Sequence, residues 1–199
     1  MNCKNCNNKL PSDAKFCNKC GKPVAVQESS AIEYFAISPK RLVLFSIITS
    51  GVYEIYWFYK NWEAVKKFEG EKIYPFWRAI FAVFFCYSLF KKVLESAKSH
   101  AYEDSYSPGW LATAYILLLI IGNGLSKIES HDIGFNLIWL TVVIAAFIPL
   151  LSIQRAINFN NGRVRADFEL RKEFSGGEVV LIVVGVIWSL LVLVGMFIP

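Results

Sequence analysis

From Val179 to Pro199 this chain runs 21 residues without a charged side chain. A helix crossing the hydrocarbon core of a bilayer needs about 20 such residues. Similar though shorter apolar runs recur upstream. Aromatic residues make up 16% and charged residues only 19% of the 199 positions, and mean hydropathy is +0.40. A water-soluble core does not need so much apolar sequence in blocks, so the spacing predicts an all-α polytopic membrane helix bundle. Five segments are expected, at about 42–62, 74–90, 110–126, 135–153 and 179–198.

The first segment, "LVLFSIITSGVYEIYWFYKNW", changes character halfway. Ile55, Phe58, Tyr59, Trp62, Val65 and Phe68 recur at three- and four-residue steps with Lys60, Glu63 and Lys67 between them, the pattern of an amphipathic helix. The segment is therefore either one span or two half-helices broken near Ser50-Gly51, giving four or five crossings in all. With the N-terminus inside, five crossings place 15 Lys and Arg inside and 6 outside, and four place 13 and 8. The positive-inside rule prefers five. Arg78 is expected to snorkel toward headgroups, Pro149 to kink or end the fourth segment, and Asn160-Asn161-Gly162 to turn. Asn123 and Asn136 are expected to hydrogen-bond between helices. No cleavable signal is expected, because the start is polar.

That polar start holds four of the five cysteines: Cys3, Cys6, Cys17 and Cys20, spaced C-x2-C-x10-C-x2-C. Two CxxC knuckles bring four thiolates to one point, which suits a single tetrahedral Zn2+. Each knuckle calls for a positive φ after its second cysteine, supplied by Gly21 and by Asn7. Leu10-Pro11-Ser12-Asp13 reads as the turn between them, and Phe16 as a small apolar patch beside the metal. A segment this short has too little apolar surface to fold unaided; structural zinc contributes on the order of 10–16 kcal/mol in comparable peptides. Disulfides are the lesser alternative in an unexported chain. With all four positions filled by sulfur, the site is closed, and a closed site is structural, not catalytic. The fifth cysteine, Cys86 in "FAVFFCYSLF", reads as a buried apolar residue.

Residues 3–24, with "LPSDAKFCNKCGKPV", resemble the short bacterial and archaeal zinc-ribbon found at the N-terminus of many membrane proteins; Asn7 stands where that family usually has Gly. "GVYEIYWFYKNWEAVKK" followed by "FWRAIFAVFFCYSLFKK" is similar to a bacterial membrane family of unknown function marked by a YWFYKNW-type stretch. The first resemblance implies a ribbon of β-hairpin and knuckle type, the second a bacterial cell membrane and no activity. The domains expected are a ribbon at 1–24, a linker at 25–36 and a helical membrane domain at 37–199.

Few residues invite other chemistry. Glu54 is the one ionisable group set within an apolar segment, a proton or cation site or a partner for Lys60 or Arg78; the alternative is a place on the polar side of an interfacial helix. His100, near Glu103 and Asp104, reads as a solvated loop residue. There is no HExxH, P-loop or GxSxG pattern, so no enzyme is expected. Four thiolates and one Zn2+ lower the formal charge of +5 by two, to +3. The ribbon lysines Lys4, Lys9, Lys15, Lys19 and Lys22 come without arginine and with one aromatic residue, a poor inventory for nucleic acid. The expected partners are the lipid bilayer and a cytosolic or membrane protein, with oligomer formation left open. The function expected is a cytoplasmic docking or sensing head on an integral membrane protein; the alternative is a small transporter or channel component using Glu54.

Overall fold

The computed structural model describes residues 3, 5–9, 16–22, 31–70, 72–104, 106–129 and 132–197, without the side chains of residue 189 and of 192–197. The chain divides into two units, Met1–Ala31 and Ile32–Pro199. The second is helical throughout its described elements: α1 (Pro39–Ile48), α2 (Val52–Glu69), α3 (Pro75–Ile80), α4 (Ala82–Ser99), α5 (Pro108–Leu125), α6 (Ile133–Ala145), α7 (Phe147–Val164) and α8 (Gly176–Phe197).

Local chemistry sets the helix starts. The side chains of Ser38, Ser107 and Asp132 accept from the amides of Arg41, Trp110 and Phe135, capping α1, α5 and α6, and proline follows the cap in the first two. The first apolar segment is broken. Ser50 and Gly51 take φ of 50° and 89°, conformations a continuing helix excludes. Thr49 pins the break from both sides: its hydroxyl donates to Phe45 O at 2.7 Å and accepts from Tyr53 N at 2.9 Å. Beyond it the chain doubles back. Arg41 in the first turn of α1 and Tyr53 in the first turn of α2 both reach Glu178 at the start of α8, while Thr49 lies against Gly185 further along α8. The α1–α2 unit is therefore a helical hairpin. At 10 residues, α1 rises about 15 Å, half the hydrocarbon thickness.

The core is built around a piece of chain expected to be linker. Residues 32–37 run extended, with Ile32, Tyr34, Phe35 and Ile37 buried and Glu33 exposed. No strand pairs with them; amide side chains do. Asn161 accepts from Tyr34 N at 3.1 Å and donates to Tyr34 O at 2.7 Å. Asn61 accepts from Phe35 N, Asn160 donates to Ile32 O, and Asn158 donates to Ile37 O. Gln154 donates to Phe35 O and accepts from the Trp57 indole. Trp57, Phe58 and Trp62 of α2, Phe90 and Leu94 of α4, and Leu150 and Ile153 of α7 close around this segment.

Several sequence expectations change. Asn160 and Asn161 sit inside α7, not in a turn, because their amides are spent on the extended segment. Pro149 interrupts its segment, as expected of a kink, but does not end it. It breaks the helix a turn earlier, at Ala146, where its missing N–H and its ring disturb the hydrogen bond to residue 145; α7 then continues to Val164. Arg78 does not reach outward but lies over the Trp62 ring at 4.3 Å. Asn123 donates to Leu119 O within its own helix. Cys86 is buried, as expected, and His100 Nδ1 donates to Ser96 O at 2.8 Å.

Among the described residues, two helices are long and apolar enough to cross a membrane: α5, and the nearly continuous α6–α7 at Ile133–Val164. Their apolar stretches are only 17% and 33% buried.

Candidate metal centre

The four cysteines form the metal-type cluster found among the described residues, with their Sγ atoms all within 4.8 Å of one another. The two knuckles repeat one backbone pattern. Cys3 N donates to Asn8 O, and Asn7 N donates to Cys3 O; Cys17 N donates to Lys22 O, and Gly21 N donates to Cys17 O, all at 2.8–2.9 Å. Asn7 and Gly21 take φ of 54° and 66°, the left-handed geometry the spacing requires, so Asn7 fills its turn without glycine. Side chains tie one knuckle to the other: Asn8 Nδ2 donates to Asn18 Oδ1 at 2.8 Å and Lys22 Nζ to Asn5 Oδ1 at 2.9 Å.

The donor set fits zinc. Sulfurs about 2.3 Å from a tetrahedral ion stand about 3.8 Å apart. Here Cys3 and Cys20 Sγ are 3.7 Å apart, and Cys6 and Cys17 Sγ 3.5 Å. None of the four is in a disulfide. The amides of Asn5 and Cys6 hold the Cys3 thiol below its ordinary range, those of Cys20 and Lys19 do so for Cys17, and that of Lys22 for Cys20. The Asn8 amide pulls the same way on Cys6, but burial and the sulfurs of Cys17, Cys20 and Cys3 push that thiol up to about 12. Four thiolates this close repel, and a dication at their centre removes the repulsion. Cys3, Cys6, Cys17 and Cys20 would hold the ion, and its contribution is to fold the ribbon. Cys3 and Cys17 are buried by the cluster itself. Phe16, expected to pack beside it, is 65% exposed, because the sulfurs already pack against one another and leave no apolar surface for a ring. Lys9 and Phe16 are in isolated β-bridges, and no longer strand forms among the described residues. The expected Leu10–Asp13 turn lies outside the described residues.

Glu54 is in the first turn of α2 and accepts from the Tyr115 hydroxyl of α5 at 2.8 Å. The proposed partners lie elsewhere: Lys60 pairs with Glu63, and Arg78 with the Trp62 ring.

A second charged constellation escaped the sequence reading. Glu178 is wholly buried. It accepts from Arg41 Nη2 at 3.1 Å, Tyr53 OH at 2.9 Å, Ser175 N at 2.9 Å and Ser175 Oγ at 3.1 Å. Arg41 also donates to the carbonyls of Arg171, Lys172 and Glu173. The available signal was Glu178 itself, a carboxylate abutting a charge-free run, which demands a cation.

No curated protein and no solved structure matches the chain. Residues 2–24 match the family model of the zinc-ribbon domain, and with the four sulfurs brought together the chain carries an N-terminal zinc-ribbon domain.

Proposed function

We propose that this chain is a non-enzymatic integral membrane protein whose ribbon, folded by one structural zinc, serves as a cytoplasmic docking or sensing head. The closed sulfur quartet carries the reading: with four thiolate ligands it has no open position for a substrate. Membrane residence is supported by the outward-facing apolar helices. A soluble core helix of that composition would be mostly buried, whereas Leu117, Ile120, Ile138 and Ile144 are exposed, as lipid-facing residues are. The similarity of residues 38–95 to a membrane family points the same way.

The hairpin suggests three crossings instead of four or five: α5, α6–α7 and α8. In this arrangement α1–α2 and the exposed aromatic rim of α3–α4 (Phe76, Trp77, Phe81, Phe84) enter the bilayer from one side and return. Charge supports it. Of 21 Lys and Arg residues, only Lys127 lies between α5 and α6, and none follows α8, so all the others fall on the ribbon's side. The positive-inside rule makes that side the cytoplasm.

Carbonate extraction tests residence: the protein should stay with the membrane pellet. Pull-downs with wild type and Cys17→Ser test the head. Loss of specific partners in the variant is expected, and identical partner sets would overturn docking through the ribbon.

A second reading, a transporter or channel component, is favoured by the Glu54 carboxylate meeting Tyr115 with no cation paired to it among the described residues. It predicts an ion or solute flux in proteoliposomes that Glu54→Gln abolishes; absence of flux in the wild type removes it.

A further inference from the structure

Beside the Arg41–Glu178 pair a groove of about 710 Å3 opens between α1 and the segment that leads into α8. Its volume is in the range of ligand sites. Its two walls differ in chemistry. One is apolar, made by Leu44 and Phe45 of α1 with Leu170 and Phe174 of the facing segment. The other is a cationic rim of Lys40 and Lys172, with Arg171 beside them turned to Glu178 at 3.8 Å; Glu169 pairs with Lys172 at 3.4 Å. That pair is about four-fifths exposed on both sides, so it holds Lys172 weakly. Arg41 is not free to bind. It is nine-tenths buried against Glu178, and its bonds to the three successive carbonyls of residues 171–173 fasten the facing segment to α1. The guanidinium also lies 4.1 Å from the Phe174 ring centre. The groove is thus preformed by a buried ion pair, with cations left over at its edge.

We propose that this groove binds an anionic phospholipid, its phosphate at Lys40 and Lys172 and an acyl chain along Leu44 and Phe174. The inference rests on the membrane reading above. Charge complementarity selects an anion. The apolar wall selects an amphiphile over a free anion: Leu44 continues into exposed Ile47 on α1, and on α8 Val179, Val180 and Val183 are exposed in the same direction of the chain. Those faces are lipid-covered if α8 crosses. A headgroup seated here meets the cations while its tail stays with the surrounding lipid. Basic pockets on the cytoplasmic side of a membrane protein meet a leaflet rich in such headgroups.

The test uses the full chain, zinc-loaded, purified in mild detergent and titrated with palmitoyl-oleoyl phosphatidylglycerol or the matching phosphatidylcholine, with bound lipids counted by native mass spectrometry. Wild type is expected to retain one phosphatidylglycerol in preference to phosphatidylcholine. The double variant Lys40→Gln, Lys172→Gln should lose that preference by about tenfold, each cation near a lipid surface contributing a few-fold. Lys66→Gln with Lys67→Gln, on α2, should keep it. Lipid-free thermal melting of all variants should match wild type, since the side chains of Lys40, Lys172, Lys66 and Lys67 are outside the buried ion pair. Three results overturn the site: equal retention of both lipids, a preference untouched by the double variant, or displacement of phosphatidylglycerol by inorganic phosphate at matched concentration. If the protein resists carbonate extraction yet shows one of these, the groove fails and the membrane reading stands. If it is released by carbonate, the membrane reading fails first.

Discussion

At the scale of single residues, two charged or metal-binding clusters behave oppositely when broken. In the ribbon, Cys17→Ser removes one of four ligands, and the unit has little apolar core besides the sulfurs. Zinc should fall from one equivalent to a small fraction by elemental analysis, while the helical circular dichroism of residues 32–199 survives, because the two units are separate in their internal packing. In the helical unit, Arg41→Ala takes the nearer of two cations from the fully buried Glu178 carboxylate, leaving Arg171 at 3.8 Å. Breaking such a pair costs about 3–5 kcal/mol, yet replacing both partners by apolar residues is often neutral. Arg41→Met with Glu178→Met should therefore recover most of the stability lost by Arg41→Ala in denaturant titration. A double variant no more stable than the single one would mean that the hydrogen bonds of Tyr53 and Ser175 to Glu178, not the charge pair, do the stabilising. The cysteines were legible in the sequence because their geometry is local and their spacing encodes it. The Arg41–Glu178 pair was not, because 137 positions separate the partners and nothing local marks Arg41 as buried.

At the scale of elements, the extended segment 32–37 is held by side-chain amides where a sheet would use backbone. Each bond is worth about 1 kcal/mol net, and a buried polar group left without its partner costs about 1–3 kcal/mol. Asn161 satisfies both backbone groups of Tyr34. Asn161→Leu should accordingly destabilise the helical unit by about 2–4 kcal/mol, measured by thermal or denaturant unfolding in detergent. Asn123→Leu, on the exposed face of α5, should change it by less than about 0.5 kcal/mol. The contrast explains a limit of pattern reading. Helix starts at Ser38, Ser107 and Asp132 follow from adjacent residues, and so does the break at Ser50-Gly51. Asn160-Asn161-Gly162 carries the local signal of a turn, but the amides are claimed by a segment far away in the chain, and the tertiary bonds win over the weak local preference. The same holds for residues 32–37, which lack helical periodicity and so read as linker until their partners are known. The α1–α8 crossing depends on a missing side chain: a Cβ at Gly185 would come within 2.5–2.8 Å of Thr49 side-chain and Cα atoms. Gly185→Ala forces backbone apart and should cost about 1–3 kcal/mol, whereas Gly124→Ala, where nothing lies within 4 Å, should not.

At the scale of the whole molecule, in the proposed membrane arrangement, the count of crossings decides which side each loop faces, and two positions suffice to tell the three arrangements apart. Five crossings put Lys72 outside, since α1–α2 would then be a full span; the hairpin returns it to the ribbon's side. Four crossings put the loop between α5 and α6 inside; three put it outside. Both Lys72 and Glu129 are exposed, so a cysteine at either reports its side without disturbing packing. The energetic preference is plain from the loops. Keeping Lys127 alone outside leaves the other Lys and Arg residues on the cytoplasmic side, a stronger bias than the 15 against 6 of five crossings. With Cys86 replaced by Ala, Glu129→Cys should react with a membrane-impermeant maleimide on intact cells. Lys72→Cys should react only after permeabilisation, as should Ala166→Cys in the segment between α7 and α8. With the ribbon on the inner side, as proposed, its cysteines should stay unlabelled on intact cells in the same experiment. Labelling of Lys72→Cys from outside would restore a full span at 42–62, and labelling of Ala166→Cys from outside would invert α8 and, with it, the leaflet that the cationic groove faces.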